Sequence, residues 1–192
     1  MEENRILDSI RKEKLQLDYF EKFIYFKVSL LCFFISIISF TQGFQSFSNF
    51  KSNEVTTKVS LIFLVLSMVS FVVKLLRLKL IRVEFTIPNA TESILNLAKE
   101  RNWEIELKKE KLIILNKIPI KGYDDYITYN RNEGEKIYVF FNGKQVLLRS
   151  IDNIDNFAFK IQNGENSANE KAILNRIKPA GNSHYNGFGH LA

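Results

Sequence analysis

One cysteine, two histidines and three prolines are all that these 192 residues offer to staple, ligate or break the chain. Cys32 alone excludes an internal disulfide, and it falls inside an apolar run, where it reads as a small buried residue. His184 and His190 sit in the tail GNSHYNGFGH, which holds no carboxylate, and the second half of the chain holds no cysteine. A metal site needs more donors than that, so none is expected. Neither the GxGxxG pattern nor the phosphate-loop pattern occurs. Asp124 and Asp125 are adjacent, and neighbours on a strand point to opposite faces, so they suit a polar turn better than a shared ion. Ser150 follows Arg149 with no histidine near it in sequence to act as base. No catalytic residue and no cofactor is expected.

The net charge of +6 is not a basic face on a soluble domain. Residues 1–27 carry six basic and six acidic side chains, and residues 81–192 carry 16 against 14. Lys74, Arg77 and Lys79 supply much of the excess at the edge of an apolar run. That placement serves anionic headgroups and orientation, and a nucleic-acid partner is not expected.

Two stretches lack charge altogether, Val28–Phe44 and Val59–Val73, joined by the polar loop Gln45–Lys58. Each is apolar around its whole helical circumference. Extended to Phe23–Phe44 and Val59–Leu76, they reach roughly 33 and 27 Å as helices, enough for a hydrocarbon core of about 30 Å. Lys27 and Lys74 lie where their stems can snorkel to the headgroups. No small-residue cleavage site follows the first stretch, which is therefore expected to stay as an anchor. Arg11, Lys12, Lys14 and Lys22 precede the first span, and Lys74, Arg77, Lys79 and Arg82 follow the second. The positive-inside bias then puts both termini in the cytoplasm. Richness in Ile, Asn and Lys with little Ala suggests an AT-rich, bacterial genome, hence the bacterial inner membrane.

Small residues within the spans keep helical spacing. Ser29, Cys32, Ser36, Ser39 and Gly43 form one stripe, and Ser60, Ser67 and Ser70 with Lys74 form another. Small residues let helices approach closely in lipid. The stripes either face each other within one hairpin or line a polar path in an oligomer. Absence of Asp, Glu, Asn and His from both spans favours the hairpin. Either way Ser36 and Ser67 are expected at a helix–helix contact. Ahead of the spans, residues 2–23 pattern as one charged helix running straight into the membrane, with Ile6, Ile10, Leu17, Phe20 and Ile24 along a stripe.

After Arg82 the period changes. Strands are expected at Val83–Ile87, Trp103–Leu107, Leu112–Leu115, Tyr126–Tyr129, Ile137–Phe141 and Gln145–Arg149. Helices are expected from Asn89 or Thr91 to Arg101 and over Ala168–Lys178, and Asn142–Gly143 predicts a type I′ hairpin turn. The fold class is a two-helix membrane hairpin plus an α+β domain, with a mostly antiparallel sheet of five to six strands and two helices. The domains are an N-terminal helix (1–22), the hairpin (23–80), the α+β domain (81–178) and a flexible tail (179–192). Ile137–Phe141 and Val146–Leu148 are apolar on both faces, which marks Tyr138, Phe140, Val146 and Leu148 as a candidate interaction surface.

From Tyr123 to Ile177, the runs YDDYITYN, KIYVFFNGKQVLLRSI and NEKAILNRI resemble an uncharacterised family of small bacterial α+β domains. That family carries an Asp-Asp strand, an Arg-Ser strand end and a closing helix. The resemblance implies the fold and no activity. The expected function is a non-enzymatic accessory or scaffold subunit of the inner membrane. Its partners would be the lipid bilayer and a protein partner or further copies of itself. The alternative is a ligand-gated effector with a small-molecule-sensing domain and an oligomeric pore, a layout similar to nucleotide-activated bacterial defence effectors.

Overall fold

The computed structural model describes residues 1–45, 50–85, 89–117, 134–154 and 165–177. They fall into two compact units, one holding residues 1–80 and the other Ile81–Asp152 with the C-terminal helix. The expected strand Tyr126–Tyr129, the pair Asp124–Asp125 and the tail 179–192 lie outside the described residues.

The first unit contains α1 (Glu3–Arg11), α2 (Tyr19–Gln45) and α3 (Phe50–Arg77). Within α2 and α3, Tyr19–Gln42 and Val55–Arg77 are long and apolar enough to cross a membrane. Only 22% and 11% of their most apolar windows are buried. A core helix of a soluble protein would hide such a surface, and here it faces outward.

The single N-terminal helix expected over residues 2–23 is instead broken. Helix α1 stops at Arg11, Glu13 takes a positive φ of 46°, and α2 begins anew at Tyr19. The cause is a reciprocal cap. Asp18 Oδ1 accepts from the Glu21 N–H and Glu21 Oε2 accepts from the Asp18 N–H, each at 2.7 Å. This capping box satisfies donors that a continuous helix would have bonded internally. Between the helices, residues 13–17 run as a strap beside the segment that leaves α3. Leu15 N–H donates to Leu78 O at 2.8 Å and Leu80 N–H donates to Glu13 O at 2.9 Å. Lys14 and Lys79 therefore face each other as a bridge pair. Leu15, Leu17, Leu78 and Leu80 are buried around it.

The second unit is a five-stranded antiparallel sheet with two helices on one face. Its elements are β1 (Ile81–Glu84), α4 (Ala90–Glu100), β2 (Trp103–Lys109), β3 (Leu112–Lys117), β4 (Glu135–Asn142), β5 (Gln145–Asp152) and α5 (Glu165–Ile177). The strand order is β1-β5-β4-β3-β2, so β1 and β2 lie at opposite edges with α4 between them in sequence. Ile113, Leu115, Ile137, Val139, Val146 and Leu148 from the sheet pack with Ile94, Leu97, Ile173 and Ile177 from the helices. Each such burial is worth about 1.5–3 kcal/mol.

The edges are defended. Strand β1 is four residues long, and β2 exposes Glu104, Glu106, Lys108 and Lys109 with a register shift between Ile105 and Leu107. Short, charged and bulged edges resist pairing with other chains. The β4–β5 turn differs by one position from the expected Asn142–Gly143. Asn142 still pairs with Gln145, leaving Gly143–Lys144 as the loop. Gly143 has φ +59°, while Lys144 is not in the positive-φ region, which suits a type II′ turn rather than type I′.

Candidate functional site: a hydroxyl ladder and a buried ionic cluster

Helices α2 and α3 run antiparallel, and their serines meet. Ser36 Oγ donates to Ser60 O and Ser60 Oγ donates to Ser36 O, both at 2.9 Å. Seven residues back along α2, Ser67 Oγ donates to Ser29 O at 2.8 Å and Ser29 Oγ donates to Ser70 Oγ at 2.9 Å. Ser29, Ser36, Ser60 and Ser67 are all buried. The hydroxyls thus bond the opposite helix at the depth of closest approach, which only a small side chain permits. Each bond across such a seam is worth about 0.6 kcal/mol, up to roughly 1.7.

At the end of the ladder, Tyr25 Oη donates to Lys74 O at 3.2 Å, and Lys74 Nζ donates to Tyr25 O. The Lys74 ammonium also lies 5.2 Å from the Tyr25 ring centroid. Lys74, expected to snorkel outward, is instead engaged across the hairpin, where a carbonyl and an aromatic face replace lost water. Phe26 and Phe71 stack beside it with centroids 4.8 Å apart.

The ladder takes Ser29, Ser36, Ser60, Ser67 and Ser70 from the two predicted stripes. Cys32 and Ser39 are half-buried and have no part in these bonds, and Gly43 lies in the last turn of α2. Replacing Ser36 with Leu removes the bond its hydroxyl donates to Ser60 O and forces a larger side chain into the seam, at an expected loss of about 1–3 kcal/mol. A C32S background carrying S29C and S70C reads this out, because those positions are close enough to cross-link. The S36L variant should cross-link markedly more slowly; an unchanged rate would mean that the seam is not tight.

In the second unit the polar groups collect where β3, β4 and β5 meet α5. Glu135 and Glu170 are 2% and 6% exposed, depths at which a carboxylate needs partners. Glu170 Oε1 accepts from the Ser150 N–H at 2.9 Å and lies 3.5 Å from Arg149 Nε. Strand β1 pairs with β5 only from Gln145 to Leu148, so beyond it the ladder donor of Ser150 has no strand beside it. Glu170 takes that place. Glu135 lies 3.4 Å from Lys117 Nζ and accepts from Asn169 Nδ2 at 3.5 Å. Ser150 Oγ donates to Asn166 Oδ1 at 2.8 Å, and Asn166 Nδ2 donates to Asp152 Oδ1 at 3.0 Å. On the other face, buried Lys136 meets Glu106 at 2.9 Å.

What this cluster does chemically is fasten α5. Ser150 donates to an amide oxygen, which is no base, so its hydroxyl is not activated as a nucleophile. No group of three or more His, Cys, Asp or Glu able to hold a metal occurs among the described residues.

The candidate interaction surface needs correction. Tyr138, Phe140, Val146 and Leu148 are 4%, 0%, 0% and 0% exposed in the single chain. Register also divides them. Val146 and Leu148 stand opposite Phe141 and Val139 on the helix face, while Tyr138 and Phe140 stand opposite Arg149 and Leu147 on the other. That second face is itself closed, with Leu112, Ile114 and Leu147 buried too. These strands are apolar on both faces because both faces are interior.

Sequence reasoning missed the ionic cluster because its members lie far apart along the chain. Tyr25 was missed because an aromatic in an apolar run carries no sign of its hydrogen bond. No protein-family model, curated protein or solved structure matches this chain.

Proposed function

We propose that the chain is a non-enzymatic bacterial inner-membrane protein, an accessory or scaffold subunit that holds its α+β domain in the cytoplasm to bind a protein partner. One observation carries this reading: the hairpin's buried serine hydroxyls are used inside it, while its outer surface is apolar. An element built this way anchors. A conduit would turn polar groups toward its lumen. This speaks against the ligand-gated alternative, whose pore would have to be lined by residues other than the serine stripes. Partner contact falls on the polar exterior of the domain, since the apolar β4–β5 faces are inside.

The test uses the full chain in bacterial cells. It should resist carbonate extraction from membranes, and in a C32S background a cysteine at Ser48 should label from outside while one at Asn132 does not. Cross-linking in cells followed by purification in detergent should then recover a second protein in fixed proportion. Release by carbonate would overturn the membrane reading, and reversed labelling its orientation. Recovery of this chain alone, with ligand-dependent dye leakage from liposomes, would favour the effector.

A further inference from the structure

Lys14 and Lys79 stand opposite each other at the close of the strap. The two backbone bonds flank the pair rather than joining it, the arrangement in which cross-strand side chains come closest. Like charges directly opposed repel. Lys79 is exposed, Lys14 is half-buried, and neither has an ion-pair partner among the described residues. Nearby carboxylates are already occupied: Asp18 and Glu21 pair with Arg5, and Asp8 pairs with Arg11 and Lys12.

The cross-helix pairs Tyr25–Lys74 and Ser29–Ser70 fix the levels of the two helices. Toward the strap, they bring the first turn of α2, with Tyr19, Phe20 and Lys22, to the end of α3 that stops at Arg77, two residues before Lys79. Tyr19, Phe20 and Phe23 are 92%, 71% and 52% exposed there, and the Lys22 ammonium lies 5.6 Å from the Tyr19 ring centroid. This aromatic edge continues into the apolar outer surface of α2 at Phe33, Phe34 and Ile37. Aromatic rings bordering an apolar span, with lysines just beyond, match the depth of lipid headgroups.

We propose that Lys14, Lys79 and Lys22 with the Tyr19–Phe20 edge form a site for an anionic phospholipid. The phosphate would sit between the opposed lysines and the acyl chain would lie along α2. This rests on the membrane reading given above. The opposed ammonium groups are relieved by a shared anion, and the exposed rings by the lipid boundary.

The test takes the full chain in detergent micelles with equal amounts of dioleoyl phosphatidylglycerol and phosphatidylcholine, and counts retained lipids by native mass spectrometry. Phosphatidylglycerol should be retained several-fold over phosphatidylcholine. K14Q and K79Q should each lower its retention about fivefold without altering that of phosphatidylcholine. F20S should lower both lipids alike, because it removes apolar contact only. Equal retention of the two lipids, or insensitivity to both lysine variants, would overturn the proposal. Displacement by millimolar inorganic phosphate would also overturn it, showing an anion site that ignores the acyl chain. A chain that stays monodisperse without detergent would sink the membrane reading itself, a separate outcome.

Discussion

Phe140→Ala lowers the stability of the α+β unit by about 3–5 kcal/mol, the loss expected when a large aromatic is cut back in a closed core. Phe140 is fully buried, with Leu112 and Leu147 opposite it on the neighbouring strands, also buried. Truncation leaves a cavity that these short-reaching neighbours fill only in part. Trp103, the chain's single tryptophan, is buried in the helix-side core and reports unfolding of this unit by fluorescence. Urea titration of the full chain in micelles should show the midpoint falling sharply. A stability within a few tenths of a kcal/mol of wild type would put Phe140 on a free surface and restore the docking face.

Glu170→Ala comes next in size, at about 2–4 kcal/mol. The change strands the buried Ser150 N–H and takes one carboxylate from the Arg149 guanidinium. Glu170→Gln keeps the shape and an acceptor oxygen while removing the charge, so it should lose roughly half as much. A double-mutant cycle of E170A with R149M measures how much of the loss belongs to this ion pair and how much to the Ser150 N–H. If E170A unfolds like wild type, α5 is held by Ile173, Leu174 and Ile177 and by its asparagine bonds, without need of this carboxylate. Both losses are read by the same tryptophan.

The parts of this fold that could be read in sequence are those where one local signal decides. Uninterrupted apolarity gave α2 and α3, and period-two runs gave the described strands to within a few residues. Serine spacing marked Ser36 and Ser67, which the structure places in the seam. Where two local signals compete, the reading failed. A continuous apolar stripe argued for one helix through residue 23, yet Asp18 and Glu21 form a cap three residues apart. Apolarity on both faces of β4 and β5 was legible, but whether a partner or the chain itself closes the second face depends on tertiary packing. The ionic cluster was beyond reach for the same reason, since Glu135, Ser150 and Glu170 meet only once the sheet and α5 are assembled.

The pairing of β1 with β5 bears on the order in which this protein is made. Ile81 follows the second apolar helix early in synthesis, but its partner Leu148 is made only after β2, β3 and β4. The tight β4–β5 hairpin and the β2–β3 hairpin close over short stretches of chain and form quickly, whereas β1 must wait. During that interval its donors and acceptors are open to any passing strand. Only four residues long, and carrying Arg82 and Glu84 on alternate positions, it offers little for a foreign strand to grip. The last strand to join the sheet is thus the one least able to join the wrong one.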